Sequence, residues 1–223
     1  WGIYQKQFPP SMIQASRITH IMYAFMLANP SQADFDLLAQ NTQFTPKPYD
    51  PTIPEGTVVV YDGWAPKEIP YPDGSIGNLQ ALQNLKIKYP HLKVLISIGG
   101  WTLSWNLSKI FADVIKRQTF VKSAVDMILK YDFDGIDMDW EYPGKQGIGY
   151  NYVDVDNDHI NLNLTLKELR SEMDRRSPNK HLELTAAIGC NPIVLQQYKN
   201  SIDCLDYALL MTYNYMGDWG DGG

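Results

Sequence analysis

Five short apolar runs, the later ones separated by stretches with helical spacing, divide the chain. They fall at residues 20–26, 94–98, 136–141, 182–188 and 207–213. The first, His20-Ile21-Met22-Tyr23-Ala24-Phe25-Met26, is apolar on both faces, which marks a strand inside a parallel sheet. Between the runs, Leu79, Leu82 and Leu85 predict a helix opened by Gly77-Asn78 and stopped at Tyr89-Pro90. A second helix is expected from about Thr119 to Leu129. A third, from about His159 to Arg175, carries Leu162, Leu166 and Leu169 on one side and ends at Ser177-Pro178. Buried strands alternating with helices predict an α/β fold with a parallel sheet, and in closed parallel barrels the chemistry sits where the strands end.

One run breaks the apolar rule. In Asp134-Gly135-Ile136-Asp137-Met138-Asp139-Trp140-Glu141 the two-residue period of a strand sends Asp137, Asp139 and Glu141 to one face. Ile136, Met138 and Trp140 go to the other. A half-buried strand with a solvated face has the same spacing, and so does a divalent-cation site. The apolar face and the preceding helix favour a buried strand with Glu141 at its end. Three carboxyls packed this closely cannot all ionise cheaply, so at least one proton is shared. A carboxylic acid of raised pKa is what a glycosidase uses to protonate a leaving oxygen. Asp134 has the opposite parity and is expected to be structural.

Residues 28–76 differ in kind, with prolines at 30, 46, 48, 51, 54, 66, 70 and 72. Long excursions of this sort are more often functional than idle. Residues 57–61 form its one strand-like piece, and Tyr61 and Trp64 either wall a cleft or belong to a surface loop. Residues 1–10 read as a loop feeding a short helix, 142–152 as a rim loop rich in Gly and Tyr, and 217–223 as flexible in composition. Gly99-Gly100 end a strand where a ligand or neighbouring backbone can come close. His20 is expected to be a satisfied structural histidine. Asp154, Asp156 and Asp158 imitate a calcium loop but fail it, because position six is His159 and position twelve Thr165. Capping of the next helix by Asn157 or Asp158 explains them better.

At 223 residues and 44% hydrophobic content the chain can bury a core, and one domain is the prior. A net charge of −6 argues against a nucleic-acid or anionic-membrane surface. A neutral polymer fits better. Six Trp and fourteen Tyr supply either core packing or stacking platforms for sugar rings. No run approaches the roughly 18 apolar residues of a membrane helix. The start at Trp1, without Met or an apolar leader, is read as processing or excision from something longer. Cys190 and Cys204 have no metal spacing and are expected to be free buried thiols.

Asp134, Asp137, Asp139 and Glu141 fall on D-x-x-D-x-D-x-E, Ser97-Ile98-Gly99-Gly100-Trp101 on S-x-G-G, and Met211-Thr212-Tyr213-Asn214 on M-x-Y-D. In order and spacing the chain thus resembles glycoside hydrolase family 18, the chitinases, over essentially its whole length, and in its bacterial form. The resemblance implies a (β/α)8 TIM barrel. Five of its eight strands are recognised here, with the first before Trp1, the last two after Gly223, and 28–76 inserted at the catalytic rim. Residues 1–223 are then one partial catalytic barrel.

The resemblance also implies retaining hydrolysis of β-1,4-linked N-acetylglucosamine polymers, in which the substrate's own 2-acetamido oxygen is the nucleophile. Glu141 would be the acid and then the base. Asp139 would hold the acetamido N–H, Asp137 would share its proton, and Tyr213 would donate to the acetamido carbonyl. Trp1, Phe25, Trp101, Tyr142, Met211 and Asn214 would contact the sugar. Asn214 replaces the motif's Asp, and the unrepresented strands would carry an Arg and a Trp that floors the cleavage subsite. The partner implied is chitin or its oligomers, with no metal or cofactor, in a secreted protein that can carry further domains or subunits. Endo or exo action stays open. An endo-β-N-acetylglucosaminidase acting on N-glycans keeps the same motif. A chitin-binding lectin on the same fold typically lacks the acid that Glu141 supplies, and a metal-dependent enzyme using Asp137 and Asp139 is the third rival.

Overall fold

The computed structural model describes residues 2–41, 50–213 and 215. Its spine is a single sheet of β1 (His20–Ala28), β2 (Val58–Val60), β3 (Lys93–Gly99), β4 (Gly135–Asp139), β5 (Glu183–Gly189) and β6 (Tyr207–Met211). The spatial order is β2-β1-β3-β4-β5-β6. All pairs are parallel except β1 with β2. The five parallel strands are the five apolar runs, and the piece near Val59 is an antiparallel edge outside the barrel series. The chain is therefore α/β, with five parallel strands in the expected barrel series and one antiparallel strand at their edge.

Helices cover the sheet. In chain order they are α1 (Gly2–Gln5), α2 (Gln32–Asn41), α3 (Trp64–Lys67), α4 (Gly77–Lys88), α5 (Leu107–Ala112), α6 (Val114–Lys130), α7 (Asp158–Arg176) and α8 (Pro192–Gln197). The apolar spacing foretells α4 and α7 to within a residue of each end. α6 begins five residues before the expected Thr119, because Asp113 caps it by accepting from the Ile115 and Lys116 amides at 2.8 and 3.1 Å. α5 has no long periodic pattern and goes unforeseen. Short 3-10 turns at Pro10–Met12 and Ala15–Arg17 lead into β1.

β4 is buried throughout and its two faces have different fates. Ile136, Met138 and Trp140 join the helix-covered core, where Phe111 meets the Trp140 ring edge-on at 5.3 Å and Phe120 meets Phe111 at 4.9 Å. Leu162, Leu166 and Leu169 of α7 close over the same core with no exposure. β1 departs from expectation, since most of it is half-buried rather than enclosed. Among the described residues its outer edge pairs only with Val58–Val60, opposite Met26, Leu27 and Ala28.

The end where the strands begin holds paired charges. Asp134 accepts from the Val94 amide at 2.9 Å and meets Lys86 and Lys180 at 2.9 Å each. Burial opposes its charge, but the amide and the two ammonium groups outweigh it and hold the carboxyl below the usual range. Glu183 meets His20 at 2.9 Å and also Lys93, while the other His20 ring nitrogen meets Thr19 at 2.8 Å. His20 is satisfied as expected, though by an acid 163 residues away. Cys190 and Cys204 are free and half-buried rather than fully buried.

Trp140→Ala should cost about 3–5 kcal/mol, the range for emptying a fully buried aromatic site. Ile87→Ala, at a side chain 79% exposed, should change stability by less than about 0.5 kcal/mol. Urea unfolding of both variants checks the contrast.

Candidate active site

The other face of β4 points into a cavity of about 620 Å³. Asp137, Asp139 and Glu141 line it, together with Phe25 from β1, Met211 of β6 and Tyr213 just beyond it. The parallel register explains the grouping. Ser97 of β3 lies beside Asp137 and Thr185 of β5 lies on its other side, so a hydroxyl flanks the acid on each neighbouring strand.

Each carboxyl has a different environment. Asp137 is 2% exposed, and its two oxygens accept from the Ser97 and Thr185 hydroxyls at 2.7 Å each. Burial raises its pKa and the two hydroxyls oppose the rise. Asp139 has no such support, because its buried Oδ1 has no hydrogen-bond partner among the described residues. Burial first, then the charges of Glu141 and Asp137, push its pKa up to about 8. Burial also raises Glu141, against a hydrogen bond donated by the Tyr142 hydroxyl. Tyr142 is itself pushed up to about 12, chiefly by burial and next by the Glu141 charge, so its phenol stays a donor at neutral pH. The three carboxyls expected to share one face are thus brought together, and all three are raised, Asp139 by burial and by the charges of the other two as well.

The rim is aromatic. Gly100, at φ +79°, leaves room that a Cβ would take from the Phe25 ring, 2.6 Å from where that carbon would stand. Gly189 likewise makes room for the Tyr142 ring. Trp101 is 46% exposed and packs edge-on to Tyr142 at 6.4 Å. Tyr213 is exposed at the cavity mouth. Trp1 and Asn214, two further expected contacts, lie outside the described residues. Tyr61 and Trp64 do not line this cavity, and Trp64 packs instead on Tyr4 at 5.6 Å.

Thr185 is the residue that sequence reasoning passed over. Its signal was a hydroxyl inside an apolar strand, at the parity that faces the acids. Asp154 and Asp158 serve the backbone. Asp158 accepts from the Gly144 and Asp154 amides at 3.0 and 3.1 Å and from the Ser108 hydroxyl at 2.5 Å, and Asp154 accepts from the Asn157 amide at 3.1 Å. Asn157 does stand at the N-cap of α7 but makes no side-chain cap bond, contrary to expectation. Its amide group is taken by Asp154 at 2.9 and 3.1 Å.

Known proteins share this arrangement of chain. The sequence model of the family described as Glycosyl hydrolases family 18 matches residues 1–222. Chitinase A1 of Niallia circulans is 31% identical over 235 residues, covering 98% of this chain and 33% of that protein. Among solved structures, chitinase ChiA74 from Bacillus thuringiensis is similar at a TM-score of 0.85 and 32% identity, covering 99% of this chain and 39% of that one. The Group IV chitinase of Ostrinia furnacalis in complex with allosamidin is similar at 0.72 and 29% identity, covering 99% and 50%. The chain spans a third to a half of the length of curated relatives such as chitinase A1 and chitinase 1 of Aphanocladium album.

The Asp139 environment has a measurable consequence for stability. Its folded pKa lies above the unfolded one, so the folded state holds the proton more tightly, and this contribution is complete below about pH 4. It is lost as the pH rises toward 8. Asp139→Asn escapes that loss. Its stability relative to the parent, from urea unfolding, should climb between pH 4 and pH 8 and then level off.

Proposed function

The chain belongs to glycosyl hydrolases family 18, and on that premise we propose that it forms the catalytic part of a secreted, retaining chitinase. The observation that carries this reading is the wall of three buried carboxyls with unequal support. Glu141 lies just past the strand end, and burial raises its pKa in the direction a general acid needs. It donates a proton to the glycosidic oxygen as the bond from that oxygen to the anomeric carbon breaks. The acetamido carbonyl oxygen of the same sugar attacks the anomeric carbon and forms a cyclic oxazolinium ion. Glu141, now a carboxylate, takes a proton from the water that opens the ion, and two inversions leave the β configuration intact.

Asp139 and Asp137 divide one proton between them. The two hydroxyls on Asp137 favour its charged form, which leaves the proton on Asp139 in the empty site. When the acetamido N–H reaches Asp139, that proton can pass to Asp137, and the Asp139 charge then faces the positive charge of the oxazolinium ion. Tyr213 donates to the acetamido carbonyl and holds it at attacking distance, a proximity effect of about 7 kcal/mol in favourable cases. Phe25, Trp101, Tyr142 and Met211 offer apolar faces to the sugar rings, with Trp1 and Asn214 assigned by motif alone. Similarity to chitinases, one of them solved with allosamidin, supports a carbohydrate ligand. No described helix is long and apolar enough to cross a membrane.

Two experiments test the reading. Glu141→Gln should lower turnover of chitin oligomers by about 10²-fold or more while leaving their binding intact, because only the transferable proton is lost. A variant retaining a tenth of parental turnover would remove Glu141 as the acid. Digestion of a partly acetylated chitosan should leave an acetylated sugar at the new reducing end of every early product. A substantial fraction of deacetylated ends would show that the nucleophile is not the acetamido group.

A further inference from the structure

The hydrogen-bond ladder of β4 stops short of the residue that matters most. Its last register pairs are Gly99 with Asp139 toward β3 and Met138 with Ala186 toward β5. Glu141 lies past both, so neither its N–H nor its carbonyl has a strand partner, although the residue is 8% exposed. Buried backbone groups need partners. Two side chains supply them. The Glu141 N–H donates to the Ser104 hydroxyl at 3.0 Å, and the Glu141 carbonyl accepts from the Asn151 side-chain amide at 2.7 Å.

Both supports are anchored independently. Ser104 has no exposure, and its hydroxyl has the Gly100 carbonyl at 2.8 Å and the Asp139 carbonyl at 3.1 Å as acceptors, which ties it to the ends of β3 and β4 at once. Asn151 is 9% exposed and comes from the loop after Glu141. That loop is stitched back by the Tyr152 amide, which donates to the Trp105 carbonyl at 2.9 Å. Gly147 completes the seat, since a Cβ there would stand 2.3 Å from the Glu141 carbonyl.

We propose that Ser104 and Asn151 are positioning residues, which grip the main chain on either side of Glu141 and so set where its carboxyl stands against the glycosidic oxygen. This rests on the assignment of Glu141 as the acid. Neither side chain lines the cavity, so neither is placed to touch the sugar. Their influence passes through the Glu141 backbone. A displacement of about 1 Å at a reacting group can cost roughly 10²-fold in rate.

The test uses the full chain with two substrates that differ in how much they need the acid. A chitin oligomer leaves as a sugar alkoxide and needs protonation; a 4-nitrophenyl glycoside of the same sugar leaves as an acidic phenol and needs little. Ser104→Ala and Asn151→Leu should each lower kcat on chitin oligomers by about 10- to 100-fold, with KM within about twofold and kcat on the nitrophenyl glycoside within about threefold. Equal losses on both substrates, or no loss on the oligomer, would overturn the proposal. The two residues hold different atoms from different loops, so either variant alone can carry the result. Failure of both to fold would assign them to stability and overturn it too. Glu141→Gln run alongside separates the premise from the inference. If it loses both substrates equally, the acid assignment fails. If it is selective and the other two are not, only the positioning roles fail.

Discussion

Everything at the working end of this fold depends on one strand having to bury three carboxyls on the face opposite its apolar core. The two-residue period makes the separation complete, with Ile136, Met138 and Trp140 under the helices and Asp137, Asp139 and Glu141 in the cavity. Burying an ionised carboxylate without compensation is far more costly than protonating it. The structure compensates unevenly. Asp137 receives two hydroxyls, Glu141 one phenol, and one oxygen of Asp139 nothing from the described residues. That inequality leaves Asp139 the least supported of the three and raises its pKa to about 8.

The two ends of the sheet show the same residue types put to opposite uses. Asp134 and Glu183, where the strands begin, are matched by lysines and a histidine. Asp134 is held low as a result. At the other end no cation among the described residues lines the cavity, and the carboxyls are pushed up. Charge pairing at one end stabilises the sheet and its absence at the other leaves proton chemistry available, a contrast that marks functional sites in general.

The apolar runs made the five parallel strands legible, and the alternation within one of them made the acidic wall legible. β2 was visible as a strand, though its antiparallel pairing was not, because nothing local distinguishes an edge partner from a barrel strand. The supports of the site were harder to see. Ser104, Asn151 and Thr185 are single polar residues whose meaning comes from contacts 37, 10 and 48 residues away. The pairing of His20 with Glu183 crosses most of the chain. Apart from the lone hydroxyl of Thr185 within an apolar strand, local pattern carries no trace of such partners. α5 escaped because six residues are too few to display a helical period.

The central claim is that the carboxyl wall keeps a proton on Asp139 at neutral pH. Carbon-13 NMR of the side-chain carboxyls, assigned through Asp139→Asn and followed from pH 3 to pH 10, reads this directly. The account predicts that Asp139 titrates far above the ordinary carboxylate range, near 8. A midpoint near 4 for Asp139 would mean that this carboxyl is ionised at neutral pH, and the account would be wrong at its root.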